Sequence, residues 1–243
     1  MLNSLTVIIP VLNEVGNISK LTEQLKRFIV NGQVIFVDDG STDGTREELK
    51  KIAEEDHKFE IIFTEQRLGH MGSYLRGIET SKNEFIAIMD GDLQHPPEKL
   101  QDMLNLLMTG SDLVVATRYS GNKLIGNRDK VRGIISRGAE YLLRTLVKEC
   151  RTVSDPLSGF IGFRKSLNIP INADMKGNKL LPFLIVGNPR LKISYVRYGF
   201  KERVSGESKI VNTGLLYIVR FIREIIEIRK AKKKSIIHVT KQS

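Results

Sequence analysis

Five short apolar segments alternate with stretches whose apolar residues recur at helical spacing. These predicted strands are Leu5 to Ile9, Gln33 to Val37, Glu60 to Phe63, Glu84 to Met89 and Asp112 to Ala116. Neighbouring parallel strands need a crossover connection, so the alternation predicts right-handed βαβ units. The chain is therefore predicted to be an α/β protein with a mostly parallel central sheet flanked by helices.

The alternation weakens after about Thr117. Residues 160–163 and 192–198 are predicted to form further strands, and residues 215–228 a final amphipathic helix. With 243 residues and 41% hydrophobic content, the chain suits one large domain with an appendage. We predict a domain over residues 1–208, followed by the amphipathic helix and a basic tail over residues 209–243.

The cysteine content and the N-terminus both bear on location. Cys150 is the single cysteine, which excludes an intramolecular disulfide framework and a cysteine-based zinc cluster, and it is predicted to be a core residue. The N-terminus has no basic leader, and Pro10, Asn13 and Glu14 interrupt its apolar run. We therefore expect no secretory signal and expect exposure to the cytosol.

The net charge of +10 predicts an anionic partner, which could be nucleic acid, a membrane surface or a phosphorylated substrate. Aromatic residues make up only 7% of the chain and tryptophan is absent, which leaves little for base stacking. The sequence also contains no recognition-helix, zinc-finger or RRM pattern. We therefore predict no nucleic-acid partner.

The final predicted helix is too polar to cross a bilayer. Its longest uncharged stretch, residues 210–219, has ten residues, whereas a span needs roughly 20. The apolar side of the helix could pack on the body or a dimer partner, or it could lie in a membrane interface, where the basic residues that follow would favour anionic lipid. We expect a peripheral protein without a transmembrane segment.

Polar segments follow four of the predicted strands, at residues 10–14, 38–43, 90–94 and 117–119. The carboxyl ends of parallel strands meet at one edge of a sheet, so these segments should form one cleft. Within it, Asp90 and Asp92 stand one residue apart after a buried-type strand. Two such carboxylates can converge on a hard cation, and Mg²⁺ or Mn²⁺ suits an all-oxygen site that also holds a diphosphate.

Other interpretations of these motifs are available. Asp90-Gly91-Asp92 could instead be turn chemistry that caps a helix beginning at Pro96 and Pro97. An EF-hand beginning at Asp39 is rejected, because its twelfth position is Lys50 instead of glutamate. The sequence contains neither a P-loop nor a dinucleotide-binding glycine pattern.

Three ordered motifs resemble those of a known family. They are Val7 to Glu14, Val37 to Thr45 and Asp90 to Pro97. Together they resemble the signatures of the family 2 inverting glycosyltransferases, which have the GT-A fold. Residues 132–138, 155–160 and 206–209 are similar to the polyprenyl-phosphate branch of that family, which includes the dolichyl-phosphate mannosyltransferases. The resemblance covers roughly residues 4 to 225.

The resemblance implies a donor-binding side and an acceptor-binding side. The residues implied to line the nucleoside pocket are Pro10, Leu12, Glu14, Asp38 and Asp39. Those implied to hold the metal ion and the diphosphate are Asp90, Asp92 and Gln94. Those implied to receive the acceptor phosphate or the sugar diphosphate are Arg118, Arg132, Ser136 and Arg203. Lys209 is implied to close over the donor, and the catalytic residues are expected to be Asp92, Arg118, Arg132 and Arg203.

The reaction implied is metal-dependent, inverting transfer of a hexose from GDP-mannose or UDP-glucose to a polyprenyl phosphate. A phosphomonoester, whose second pKa is about 6, arrives ionised and needs no enzymatic base. Arginines would then bring the acceptor beside the diphosphate without prohibitive repulsion. We expect the reaction at the cytosolic membrane face, with contact through the final helix, the tail or a membrane-anchored partner subunit.

The sequence departs from the family pattern at two positions, and two other functions are compatible with its motifs. Leu12 stands where the family often has tyrosine, and Phe183 stands where an acidic residue is expected. One rival is a family 2 transferase that acts on a glycan hydroxyl, with Asp155 as its base. The other is a membrane or nucleic-acid binding module that has lost catalysis. His95 is predicted to introduce the helix after the two prolines, with no role as a ligand.

Overall fold

A seven-stranded sheet forms the centre of the molecule. The computed structural model describes residues 5–29, 32–120, 123–124, 130–171, 177–199 and 214–240. The strands of the sheet are β1 Leu5–Val11, β2 Gln33–Asp38, β3 Phe59–Phe63, β4 Phe85–Ile88, β5 Leu113–Thr117, β8 Ile161–Arg164 and β9 Ile193–Arg197. Two further short strands, β6 Tyr119–Ser120 and β7 Lys123–Leu124, pair with each other.

The strand order is β3-β2-β1-β4-β8-β5-β9. All neighbouring pairs are parallel except those of β8, which runs antiparallel to both β4 and β5. The predicted mostly parallel sheet is therefore confirmed. The reversed direction of β8 places its first residue, Ile161, beside Ile88 at the end of β4.

Helices cover both faces of the sheet. They are α1 Val15–Phe28, α2 Thr45–Glu55, α3 Gly69–Thr80, α4 Lys99–Met108, α5 Lys130–Leu146, α6 Leu181–Gly187 and α7 Gly214–Thr240, with a 3-10 turn at Lys148–Cys150. Helices α1, α2 and α4 contribute to the apolar core on one face, whereas α3, α5, α6 and α7 contribute to the core on the other.

Strand β1 shows why this sheet needs two apolar faces. Successive side chains of a strand point to opposite sides. Ile8 accordingly joins Ile35 and Ile88 in one core, while Val7 and Ile9 belong to the other. Both sides of the strand are fully buried, which accounts for its continuous apolar sequence. Cys150 is likewise buried, as predicted.

The final helix is longer than predicted and packs on the body. It extends to Thr240, whereas the apolar pattern predicted an end at residue 228. Phe221, Ile225 and Ile228 are buried in the core that contains Ile8. A different side of the same helix exposes Val219, Ile222 and Ile226. Its amphipathic character stays a prediction, and the predicted domain boundary at residue 208 lies outside the described residues.

The described part of the chain contains no helix that combines the length and the hydrophobicity needed to cross a bilayer.

Candidate active site

Three of the predicted polar segments lie side by side at the carboxyl edge of the sheet. The backbone N–H of Asp39 donates to the carbonyl oxygen of Val11, at 3.0 Å. On the other side of β1, a Cβ atom on Gly91 would stand 3.0 Å from Val11 Cγ1. The ends of β2, β1 and β4 therefore bring the Asp38–Asp39 pair and the Asp90–Asp92 pair to the same edge, as the strand pattern predicts.

Asp38 is buried and accepts hydrogen bonds that stabilise the loop after β2. Its carboxylate accepts a hydrogen bond from Arg46 Nε at 2.6 Å and others from the backbone N–H groups of Gly40 and Ser41. The side chain of Asp38 has no exposed surface. The structure therefore shows Asp38 supporting the loop, and direct contact with a nucleoside stays a prediction.

Asp39 connects the same loop to helix α3. Its Oδ1 accepts a hydrogen bond from the backbone N–H of Leu68 at 2.6 Å, and its Oδ2 accepts one from that of Gly69 at 3.0 Å. A carboxylate at a helix N-terminus satisfies otherwise unpaired N–H groups and interacts favourably with the helix dipole. Asp39 therefore sets the position of α3 relative to the predicted nucleoside pocket.

The loop after β1 is held against the loop after β2. Asn13 has a positive φ of 57°, and its side-chain oxygen accepts a hydrogen bond from the backbone N–H of Thr42 at 2.8 Å. The backbone N–H of Asn13 in turn donates to Ser41 Oγ. Pro10, Leu12 and Glu14, the other residues predicted for the nucleoside pocket, are half-buried along this segment.

His95 packs against the predicted metal motif and contacts Asp90. Its Nδ1 accepts a hydrogen bond from the backbone N–H of Asp90 at 2.9 Å, and its Nε2 lies 3.7 Å from Asp90 Oδ2. The ring stacks on Phe160, with 5.0 Å between centroids. Burial lowers the pKa of His95, although the charges of Asp90 and Asp92 oppose this effect. A neutral ring that accepts at Nδ1 carries its proton on Nε2, facing Asp90.

His95 therefore makes a contact with the metal motif that its interpretation as a helix-entry residue does not include, and the prediction that it is not a ligand stays a prediction. Helix α4 begins at Lys99, and His95 is 5% exposed beneath the motif. Pro96 and Pro97, which follow His95, are by themselves enough to predict a helix-entry residue at this position. The position of a histidine three residues after a pair of aspartates is the sequence signal that could have predicted its contact with Asp90.

Asp90-Gly91-Asp92 is also not the cap of the following helix. The N-cap residue of α4 is Glu98, which makes no side-chain capping bond. Asp92 is 3% exposed, and its Oδ1 accepts a hydrogen bond from the backbone N–H of Gln94 at 3.2 Å. Between them Leu93 has a φ of 64°, a left-handed conformation that closes the turn.

The donor set at this turn suits a cation that also binds substrate. Among the described residues no group of three or more His, Cys, Asp or Glu side chains forms a metal-binding cluster. Mg²⁺ is commonly held by one or two carboxylates together with substrate phosphates and water. Asp90 and Asp92 supply two such carboxylates, so the residues present fit an ion completed by a diphosphate.

Arg118 is bound to Asp155 by two parallel hydrogen bonds. Arg118 Nε donates to Asp155 Oδ2 at 2.8 Å, and Arg118 Nη2 donates to Asp155 Oδ1 at 2.7 Å. Burial alone lowers the pKa of Arg118, but the hydrogen bonds and charge of Asp155 outweigh it and raise that pKa above its ordinary value. Asp155 is 2% exposed. A carboxylate engaged in this way is poorly placed to act as the base that the hydroxyl-acceptor rival requires.

The remaining predicted acceptor residues are not tested by the structure. Ser136 is half-buried on α5. Arg132 belongs to the same helix, but its side chain lies outside the described residues. Arg203 and Lys209 also lie outside them. The structure thus places Asp38, Asp39, Asp90 and Asp92 at one edge of the sheet. Arg118 lies close enough for its charge to act on the pKa of His95 beside them. The roles predicted for these and the other site residues stay predictions.

Comparison with curated sequences indicates a family. The glycosyl transferase family 2 model matches residues 6–170. A dolichol-phosphate mannosyltransferase of Pyrococcus furiosus is 28% identical over 224 residues, which cover 91% of this chain and 63% of that protein. This chain therefore spans just under two thirds of the length of that relative. A dolichol-phosphate mannosyltransferase of Saccharomyces cerevisiae is 29% identical over 250 residues, covering 97% of this chain and 91% of that protein.

Comparison with solved structures supports the fold. Glucosyl-3-phosphoglycerate synthase from Mycobacterium tuberculosis, crystallised with Mn²⁺, uridine-diphosphate-glucose and phosphoglyceric acid, superposes with a TM-score of 0.71 at 20% identity. The match covers 93% of this chain and 80% of that one. The predicted GT-A fold is confirmed. Because the family model matches more than half of the chain and includes all three strand-end motifs, the chain belongs to glycosyl transferase family 2.

Proposed function

We propose that the protein transfers one hexose from a nucleotide-sugar to a polyprenyl phosphate, with inversion at the anomeric carbon. The observation that carries the proposal is the pairing of Arg118 with Asp155. This pair lies close enough to the Asp90–Asp92 turn that the charges of all four residues act on the pKa of Tyr198. That arrangement leaves a buried arginine near the predicted metal motif and engages the one carboxylate predicted as a base. An acceptor that brings its own ionised oxygen suits such a site. The names of the Pyrococcus and Saccharomyces relatives support the same acceptor class.

Asp90 and Asp92 are proposed to hold Mg²⁺ or Mn²⁺, with Gln94 as a further ligand. The ion would stabilise negative charge on the departing nucleoside diphosphate, which is worth several kcal/mol in comparable enzymes. His95 would keep the Asp90 backbone in place through its Nδ1 acceptor. The Mn²⁺ in the Mycobacterium crystal supports divalent metal use.

The remaining residues are proposed to bind and orient the two substrates. Asp38 and Asp39 hold the loops that border the nucleoside pocket, which Pro10, Leu12 and Glu14 would line. Arg118, with Arg132, Ser136 and Arg203, would bind the acceptor phosphate or the sugar diphosphate, and Lys209 would close over the donor. The positive charge of the arginines and of Lys209 would offset the repulsion between an acceptor dianion and a diphosphate.

The proposal is tested by following labelled sugar into lipid. The protein is incubated with GDP-mannose or UDP-glucose, a polyprenyl phosphate and Mn²⁺ or Mg²⁺, and the organic extract is analysed. We expect a lipid-linked sugar with one donor, lost on chelation. Asp92→Asn should lower the rate by about 10²-fold or more, since it removes a charged metal ligand.

The matched control is Asp102→Asn on helix α4, an exposed aspartate whose carboxylate pairs with Lys99. This variant should keep the wild-type rate. Sugar transferred to a glycan hydroxyl instead of the lipid phosphate would overturn the acceptor assignment. Full activity of Asp92→Asn would overturn the metal role.

A further inference from the structure

A buried glutamate of the C-terminal helix holds the turn that precedes helix α6. Glu224 Oε1 accepts hydrogen bonds from the backbone N–H groups of Asn178 and Lys179, at 2.9 and 3.0 Å. A Cβ atom on Gly177 would stand 2.7 Å from the same oxygen, so the turn lies directly against the carboxylate. Glu224 is 6% exposed. Its carboxylate therefore replaces water as the acceptor for two backbone donors.

The same turn is also contacted by helix α3. The hydroxyl of Tyr74 donates a hydrogen bond to the backbone carbonyl oxygen of Asn178, at 3.4 Å. Tyr74 is 2% exposed and belongs to the apolar core on the face of the sheet that α3, α5, α6 and α7 cover. Residues 177–179 are thus held between α3 and α7, which leaves their backbone little freedom to rotate.

The consequence of this double contact appears at the side chain of Lys179. Its Nζ lies 3.2 Å from the point where a Cβ atom of Gly159 would stand. The two carboxylate oxygens of Asp90 lie 3.4 and 3.5 Å from the same point. Gly159 has no side chain, so the ammonium of Lys179 and the carboxylate of Asp90 border one small space at the predicted metal motif.

We propose that Glu224 is a positioning residue that holds the ammonium of Lys179 beside Asp90, where it binds phosphate oxygens of the reacting substrates. The inference rests on the proposed function and adds a residue pair to it. A lysine ammonium is a compact charge with three donors and suits the several oxygens of a phosphate. The negative charge of Asp90 attracts this ammonium, and the hydrogen bonds to the turn fix the backbone of the residue that carries it. The C-terminal helix thereby becomes part of the phosphate-binding side of the site.

The test compares variants of both residues in the full-length protein. Binding of GDP and UDP in the presence of Mn²⁺ is measured by calorimetry, and the nucleotide that the wild type binds more tightly is used. Lys179→Met should weaken its affinity by about ten-fold or more, since it removes a charged hydrogen-bond donor. Glu224→Ala should weaken it by a similar factor, because the turn is no longer held.

Two further variants separate positioning from a general loss of structure. Glu224→Gln retains a side-chain oxygen that can accept both N–H groups, so it should restore affinity to within about three-fold of wild type. Glu227→Ala, on the same helix, removes a carboxylate that pairs with Lys230 and should leave affinity unchanged. If Glu224→Ala does not fold, Glu224→Asp replaces it, because its shorter side chain withdraws the carboxylate from the turn.

The double variant Lys179→Met/Glu224→Ala decides the coupling. If Glu224 acts through Lys179, the double variant should bind the nucleotide no more weakly than the worse single variant. Losses that multiply, or wild-type affinity in Lys179→Met, would overturn the inference. Absence of any nucleoside-diphosphate binding by the wild type would overturn it as well. Failure of the proposed function is distinguishable, because it appears as normal nucleotide binding without a lipid-linked product.

Discussion

Asp155 combines a left-handed backbone with a two-point contact to Arg118. Its φ is 51°, a conformation that aspartate and asparagine tolerate better than most residues. Asp155→Asn should therefore keep the backbone while removing the charge that balances Arg118, whose side chain is only 11% exposed. Breaking a buried pair in this way costs about 3 kcal/mol or more. Urea denaturation should show a loss of that size.

The control for this prediction is the double variant Asp155→Asn/Arg118→Met. It removes both partners, so no charge is left buried without a counter-ion, and it should recover part of the lost stability. A loss below about 1 kcal/mol for Asp155→Asn alone would contradict the view that the two residues form a structural pair.

Helix α3 packs on strand β1 through a glycine. A Cβ atom on Gly77 would overlap Ile8 Cγ2 and would stand 3.1 Å from the Cγ1 and Cδ1 atoms of the same residue. Gly77→Ala should therefore force α3 away from the sheet and lower the free energy of unfolding by about 1–3 kcal/mol. Thermal and urea denaturation measure the change.

Gly138 provides the matched substitution. It also lies within a helix, α5, but a Cβ atom there would meet no heavy atom within 4 Å. Gly138→Ala should stabilise the protein by up to about 1 kcal/mol through helix propensity alone. Equal stability of the two alanine variants would show that the α3–β1 contact relaxes without cost.

Some elements were predictable because their own residues determine them, and others were not. The apolar run before Asp90 predicted β4 correctly. The reversed direction of β8 depends on how the chain returns to the sheet, and an apolar segment such as Ile161–Arg164 carries no sign of its direction. No local pattern predicts a role for Lys179, because the residue that accepts a hydrogen bond from its backbone, Glu224, lies 45 positions further along the chain. Local sequence patterns do not reveal contacts between segments that are far apart in the chain.

The net charge of the protein, +10, predicts attraction to an anionic surface. In α7 the exposed basic residues Arg223 and Arg229 accompany the exposed apolar residues Ile222 and Ile226. We expect the protein to sediment with vesicles that contain phosphatidylserine and to stay in solution with phosphatidylcholine alone. Binding should fall as salt rises, because each basic residue contributes about 1 kcal/mol near the surface and salt screens that attraction.

Charge-matched variants test whether α7 carries this attraction. Arg223→Glu/Arg229→Glu should release the protein from the vesicles. Arg27→Glu/Arg76→Glu changes the net charge equally, at exposed positions on α1 and α3, and should retain most of the binding. Equal release by both pairs would mean that membrane attraction depends on total charge without a particular face.

The reversed strand β8 also determines where the protein can vary. Ile161 pairs with Ile88, so the chain reaches the site edge before it enters this strand, whereas the parallel strands reach that edge as they end. Residues inserted at 151–160 would displace Asp155, which is bound to Arg118, and Phe160, which stacks on His95, so this approach to the site should not tolerate a change of length. Residues inserted after Arg164 would lie at the far edge of the sheet. The chain can thus change in length at the end of β8 that is remote from the site, whereas its approach to β8 is fixed by the contacts of the site.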